Sequence, residues 1–240
     1  MSEGNIAIIT ARGGSKRIPR KNIKLFMVKP IIVYSIEAAL KSGIFEEIMV
    51  STDDEEIAEI SKTHGASVPF LRSEKTSGDF ATTSDVIAEV LTEYSLLGKT
   101  FLYACCIYPT APFVTAEKLA ESFRIFKSRD ADSLFPVVRF SYPPQRAYVL
   151  DGEQLRFRYP ENKELRSQDL EPLFHDAGQY YFFRPESFLK TGSIISGNLS
   201  YVELSEMEVQ DIDNETDWKL AEMKYGVLLQ RKQMKTIDIF

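Results

Sequence analysis

A doubly wound α/β fold on a mostly parallel sheet is what this sequence predicts, and three observations predict it. Short apolar runs of strand length alternate with segments of helical periodicity from Ile6 to about residue 138, which is the order of βαβ units. One of those runs, Phe101–Ile107, is apolar almost throughout, as a strand buried on both faces requires. The alternation stops between Ser141 and Asp176 and resumes at Gln179. The chain is therefore expected to carry an inserted arm, with residues 1–140 and 177–240 forming the α/β domain and residues 141–176 the arm.

The elements follow in order. Ile6–Ile9 reads as the first strand. Pro30 sits near the start of a helix that runs to Ser42, where its missing N–H costs nothing, and Gly43 is the expected cap at the far end. Ile48–Ser51 is the second strand. Asp53 or Asp54 caps the next helix, which carries Ile57 and Ile60 and closes at Gly65. Val68–Leu71 reads as a short strand. Thr82 or Thr83 opens a helix with Val86, Val90, Leu91 and Tyr94 on one face. Phe101–Ile107 follows, then a helix opened by Thr115 and a strand at Ser133–Val138. Within the arm, Asp151-Gly152 reads as a tight turn between Ala147–Leu150 and Leu155–Arg158. A stretch of this length without helical periodicity is structured rather than plain loop. Gln179–Phe183, a short helix at Pro185, a strand at Tyr201–Leu204 and a last helix from Glu215 complete the domain.

Composition narrows the function classes. The chain has 240 residues, 44% apolar and 27% charged, ordinary for a soluble protein with a substantial core. A net charge of −6 disfavours a dedicated nucleic-acid binder. No apolar run approaches a membrane span, and no charged-then-apolar leader opens the sequence. The two cysteines, Cys105 and Cys106, are neighbours in one strand, so they point to opposite faces and do not form a disulfide. That pattern suits a reducing cytoplasm. With only His64 and His175 besides, a cysteine–histidine metal site is not expected.

The chemistry concentrates after the first strand, in Ala11-Arg-Gly-Gly-Ser-Lys-Arg-Ile-Pro-Arg-Lys-Asn22. Gly13 and Gly14 leave room for backbone N–H groups to turn toward an anion. Arg12, Lys16, Arg17, Arg20 and Lys21 add charge and, for arginine, forked donors suited to phosphate oxygens. The loop is not a Walker A sequence, and no third glycine completes a dinucleotide fingerprint. A solvated basic run is the bland alternative, but such runs lie in polar surroundings, and this one lies between apolar segments. The segment resembles the signature of the cytidylyltransferases that activate nine-carbon acidic sugars, the family of the CMP-sialic acid synthetases and their legionaminic and pseudaminic acid relatives. The resemblance spans Ile6 to about Leu228.

A second signal, Asp211-Ile-Asp213, puts two carboxylates on one face of an extended segment. Such a pair needs a cation to relieve it, and Mg²⁺ shared with substrate phosphates is the natural guest. The competing reading is that Asp213 caps the last helix. The resembled family has paired aspartates at this place.

The remaining roles are what the resemblance implies. Arg12, Lys16, Lys21 and Asp213 would be catalytic, with Mg²⁺ on Asp211 and Asp213. Ala11, Gly13, Gly14, Ser15 and Asn22 would hold the triphosphate of CTP, and Arg72, Asp79, Ala81, Thr82 and Thr83 its base and ribose. Tyr108, Arg166, Gln168, Asp176 and Gln179 would hold the acidic sugar. The runs Arg166-Ser-Gln-Asp169 and His175-Asp-Ala-Gly-Gln179 resemble the pseudaminic acid branch, and Tyr108 stands where the sialic acid branch has glutamine. His175 reads as a structural histidine rather than a general base. The arm implies a homodimer, since a lone hairpin is marginal in water and a two-fold partner would cover it. The departures are Thr10, where proline is common, and Val28, where glycine precedes Lys-Pro. Rival readings are the same reaction on sialic or legionaminic acid, a nucleotide-sugar-binding module without turnover, and a dinucleotide oxidoreductase.

Overall fold

The computed structural model describes residues 4–237. In chain order the strands and helices are β1 (Gly4–Thr10), β2 (Leu25–Phe26), β3 (Lys29–Pro30), α1 (Ile31–Ser42), β4 (Glu47–Ser51), α2 (Glu55–Thr63), α3 (Glu74–Ser77), α4 (Thr83–Leu96) and β5 (Phe101–Ile107). There follow α5 (Ala116–Ser128), β6 (Ser133–Arg139), β7 (Tyr148–Asp151), β8 (Gln154–Phe157), β9 (Phe174–Asp176), β10 (Tyr180–Phe183), α6 (Pro185–Thr191), β11 (Leu199–Leu204) and α7 (Glu215–Ile237).

The central sheet runs β11-β6-β10-β5-β1-β4, with β9 also paired to β6. β4, β1 and β5 are mutually parallel, as are β6 and β11, while β9 and β10 run antiparallel. Because β1, β4 and β5 are parallel, their carboxyl ends meet at one edge, where open α/β sheets bind ligands. Ala11, Thr52 and Tyr108 leave the sheet there.

Alternation along each strand feeds two cores. Ala7 and Ile9 of β1 face α1, α2 and α5, through Ile32, Ile36, Ile57 and Phe123. Ile6 and Ile8 face α4 and α6, through Ile87, Val90 and Phe188. Cys105 belongs to the first core and Cys106 to the second, and both are free thiols. Burial pushes the Cys106 thiol up to about 12. A third cluster joins Ile18, Phe26, Ile31, Phe113, Ile212 and Trp218. It pins the basic loop to the start of α7.

Several sequence expectations are sharpened. Asp54 is the cap of α2, accepting from Ile57 N, and Thr82 caps α4 in a reciprocal pair with Asp85. Gly43 takes the left-handed conformation (φ 64°) expected after α1. The arm's hairpin pairs Leu150 with Leu155 and Asp151 with Gln154, so its turn lies one residue later, on Gly152-Glu153. The strand expected at Val68–Leu71 does not form. Ser67 alone bridges Met49, because Pro69 has no N–H to continue a ladder. β2 and β3 form a small hairpin that periodicity did not signal. Met27, not Val28, takes the positive φ in its turn, so valine at position 28 carries no backbone strain. The arm rejoins the main sheet as β9, with Asp176 opposite Val137. Among the described residues no helix is long and apolar enough to cross a membrane.

Candidate active site

The loop after β1 is braced from three sides. Asn22 is buried and its Nδ2 donates to Arg12 O at 2.8 Å. Gly13 N donates to Asp53 Oδ1 at 2.8 Å. A Cβ on Gly13 would lie 2.8 Å from Asp54 Oδ2, so a larger residue would have to displace the Asp54 side chain that Arg20 holds. Arg20 forks onto Asp54 and reaches Glu56, which holds the Asp54 carboxyl below its usual range. The inward nest of N–H groups expected at the glycines is not what the structure shows. The N–H of Gly13 goes to Asp53, that of Ser15 goes to Gly13 O, and Gly14 has neither a close neighbour nor a positive φ.

The loop's cations instead converge as side chains. Arg12 and Lys16 take the two oxygens of Asp79, Arg12 at 3.0 Å. Both cations therefore reach a single small anion. The hydrogen bond from Lys16, aided by Arg12, holds the Asp79 carboxyl below its ordinary value. Lys21 Nζ donates to Ile212 O at 2.7 Å, and Arg17 pairs with Asp213 at 2.8 Å. These contacts bring residues 190 or more positions apart to one edge. Burial lowers the pKa of Lys21, opposed by the nearby carboxylates of Asp213 and Asp211. The cleft so formed has a volume of about 420 Å³ and is lined by Arg12, Ser15, Lys16, Lys21, Asn22 and Tyr108, among others.

The aspartate pair flanks a buried residue. Ile212 is buried between Ile18 and Trp218, a burial that stabilises the segment by roughly 1.5–3 kcal/mol. Its neighbours Asp211 and Asp213 are thereby turned away from that core. The helix cap is Asn214, whose Oδ1 accepts from Thr216 N at 2.9 Å and Asp217 N at 3.1 Å. Asp217 accepts in return from Asp213 N and Asn214 N. Asp213 is not the cap, and its carboxylate pairs with Arg17 instead of the helix. Among the described residues no three histidine, cysteine or acidic groups cluster as a metal cage. Two hard oxygen donors without a cage suit Mg²⁺, which takes few carboxylates and completes its shell with phosphates and water.

The base and ribose candidates lie beside the loop. Arg72 is anchored by Nε to Ser51 Oγ at 2.8 Å and by Nη2 to Ser51 O at 2.7 Å. Its burial pushes it down to about 10, and Nη1 is left for a ligand. Asp79 and Ala81 bound the turn before α4, with Ala81 N on Gly78 O.

A second cleft, of about 390 Å³, opens on the other side of Tyr108. Tyr108, His175, Asp176, Glu206, Asp211 and Lys224 line it. Asp176 sits at the break between β9 and β10, both antiparallel to β6. Its carboxylate accepts from Gly178 N and from Tyr181 Oη, each at 2.8 Å. Tyr181 leans on Tyr108, with ring centroids 5.4 Å apart. Burial raises the pKa of Tyr108, opposed by hydrogen bonds with Thr83 and Tyr181. His175 places Nδ1 2.9 Å from Asp176 O.

A family model described as Cytidylyltransferase matches residues 6–235. The chain belongs to that family. It is 39% identical over 224 residues to the pseudaminic acid cytidylyltransferase of Campylobacter jejuni, covering 93% of this chain and 97% of that one. It is 33% identical over 224 residues to the CMP-N,N'-diacetyllegionaminic acid synthase of Legionella pneumophila, covering 90% and 94%. Among solved structures, a CMP:2-keto-3-deoxy-manno-octonic acid synthetase complexed with CTP superposes with a TM-score of 0.69 at 15% identity, covering 95% of this chain and 99% of that one. At that identity the likeness shows a shared fold.

Seen as a cytidylyltransferase, the chain gathers most of the residues its sequence singles out. Arg12, Lys16, Lys21, Asp79, Asp211 and Asp213 meet at one edge, and Tyr108 and Asp176 share the second cleft. Three do not join them. Arg166 pairs bidentately with Asp169 in its own arm, at 2.7 and 3.0 Å. Gln168 lines a separate hollow with Arg139 and Pro143. Gln179 is buried, its Nε2 donating to Glu208 O at 2.6 Å and its Oε1 without a partner. The sequence reading gave Asp53 no role beyond a possible helix cap, and gave Tyr181 and Lys224 none at the site. Asp53 follows a strand end and could have been suspected from that place alone. Lys224 is one lysine among several on α7 and carries no local signal.

Proposed function

We propose that this chain couples CTP to pseudaminic acid, joining the CMP group to the anomeric hydroxyl and releasing pyrophosphate. The observation that carries the reading is the pair of contacts Lys21–Ile212 and Arg17–Asp213, which fixes a basic loop against two carboxylates at the carboxyl edge of the sheet. The relatives support the reaction class and the sugar.

In this reading the triphosphate lies over the basic loop, with Arg12 and Lys16 turning from Asp79 to phosphate oxygens. Their charge stabilises the pyrophosphate as it departs. Lys21 draws its lowered basicity from burial and recovers it when phosphate arrives. The sugar occupies the cleft beyond Tyr108. Its hydroxyl oxygen forms the new bond to the α-phosphorus as the bond to the leaving oxygen breaks. Asp211 and Asp213 would hold Mg²⁺, which when bound neutralises phosphate charge and acidifies the attacking hydroxyl. Arg72 would donate to the cytosine carbonyl.

The arm would serve a homodimer. Tyr148, Leu150 and Leu155 are 55%, 78% and 66% exposed, an apolar hairpin surface that a second copy would cover. Arg166 and Gln168 would reach a sugar only across such an interface. Two free buried thiols suit a cytoplasmic enzyme.

The test is pyrophosphate release from CTP with pseudaminic, legionaminic and N-acetylneuraminic acids, each with and without Mg²⁺. Turnover should be highest on pseudaminic acid and should need the metal. Turnover on another acid alone would reassign the sugar. CTP binding without pyrophosphate release would leave a binding module.

A further inference from the structure

The cleft beyond Tyr108 presents a problem of charge. Three carboxylates line it, those of Asp176, Glu206 and Asp211, and a single lysine or arginine, Lys224. An acidic sugar entering such a cleft meets like charge unless something answers its own carboxylate. Asp211 is relieved in the proposed reaction by a metal, and Asp176 by Gly178 N and Tyr181 Oη. Neither relief supplies a partner for the sugar.

Lys224 is placed to supply it. Its ammonium donates to two backbone carbonyls, Glu206 O at 3.0 Å and Val209 O at 2.8 Å. Those bonds fix the side chain in the cleft wall without neutralising it, because a carbonyl is a neutral acceptor. A lysine ammonium has three donors, so one is left over. Among the described residues Lys224 forms no ion pair, although Glu206 lies in the same wall. Lysines on protein surfaces are flexible and lose entropy on ordering, and here that ordering is already done by the carbonyls. The arm's arginine offers no equivalent within one chain, since Arg166 pairs with Asp169 in the arm and does not line this cleft.

The chemistry of the substrate fits the location. In a 2-keto acid sugar the carboxylate is borne by the carbon that carries the reacting hydroxyl. The group that binds the carboxylate must therefore share a cleft with the residues that face the reacting phosphate, as Lys224 does with Asp211. We infer that the third donor of Lys224 holds the carboxylate of the acidic sugar and so sets both the selection for an acid and the position of the attacking hydroxyl. This rests on the proposed function and names the group that reads the acid.

Lys224 also ties the turn at Glu206–Val209 to α7, and the test separates that structural role from recognition. Binding of the sugar acid and of its C1-carboxamide is measured by calorimetry in the presence of CMP, for the wild type, Lys224→Met and Lys224→Arg, alongside KM for CTP. A lost hydrogen bond to a charged group corresponds to roughly a 10–150-fold weakening. The wild type should prefer the acid over the amide by about that factor. Lys224→Met should lose the preference while keeping KM for CTP. Lys224→Arg, which retains donors for the carbonyls and a charge, should recover part of it. A Met variant that still prefers the acid as strongly as the wild type overturns the inference alone. A Met variant that weakens acid and amide equally, or raises KM for CTP as much, assigns Lys224 to structure and also overturns it. Wild-type protein that binds no nine-carbon acid overturns the functional reading and the inference with it.

Discussion

Replacing Asp213 by asparagine separates a helix cap from a metal ligand, and the structure sets the size of each effect. The cap of α7 is Asn214, which accepts from two N–H groups at 2.9 and 3.1 Å. Asn214→Ala should therefore cost about 1 kcal/mol, which in a domain of this size lowers Tm by about 2–4 °C. Asp213 has one charged partner, Arg17, and the two side chains are 40% and 69% exposed. An exposed pair of this kind contributes about 0–1 kcal/mol, and the backbone N–H of Asp213, which Asp217 accepts, survives the change. On the same scale Asp213→Asn should thus shift Tm by about 4 °C at most. If its carboxylate holds Mg²⁺ at the phosphates, turnover should fall by about 10²–10³, the loss typical of one preorganised charge group, and the Mg²⁺ needed for half-maximal rate should rise. The assays are thermal unfolding and pyrophosphate release across a Mg²⁺ titration. A Tm loss clearly larger than that of Asn214→Ala, or turnover and Mg²⁺ dependence like the wild type, would refute the reasoning.

Three further outcomes are expected. Arg12→Ala and Lys16→Ala should each lower kcat by about 10²–10³, and because both now balance Asp79, Asp79→Asn should rescue neither; near-wild-type rates in both variants would remove the loop from catalysis. Acid should destabilise the fold through Asp54, whose carboxyl is held below its ordinary 3.8 chiefly by the hydrogen bond from Arg20. The unfolded chain takes up that proton first as pH falls, so the stabilisation is complete above the ordinary value and is lost as pH drops through the folded one; Asp54→Asn should flatten Tm against pH below about pH 4. The arm should make a dimer, seen by sedimentation, and Leu150→Lys with Leu155→Lys should yield monomer with weakened sugar binding; full activity as a monomer would give the arm another role.

Much of the fold was legible because local rules agree with tertiary ones. β1, β5 and β6 are apolar runs long enough to be buried, and α1, α2 and α5 carry their caps in the sequence. The Val68–Leu71 expectation failed where one proline overrides a β-rich tetrad. The position of β10 between two strands that are parallel to each other has no sequence mark, because strand direction is set by the path of the arm and not by residue type. At the site, the basic loop and the aspartate pair were readable from charge and spacing. Their meeting through Ile212 and Ile18 was not, since a contact between distant positions depends on packing. Lys224 was hidden for the same reason: nothing about a lysine on a polar helix tells which carbonyls will hold it.

The return of the arm into the sheet has a consequence for how such a chain can diversify. β9 is locked to β6 by register, with Phe174, His175 and Asp176 opposite Arg139, Val138 and Val137, and a slip of one residue would exchange the faces of His175 and Asp176. Everything between Arg139 and Phe174 is free of that constraint. Insertions and deletions in the hairpin or its flanks lengthen or shorten a loop at small entropic cost while the ladder keeps Asp176 at its station. The arm can therefore drift in length and surface, and the cleft it borders keeps its shape.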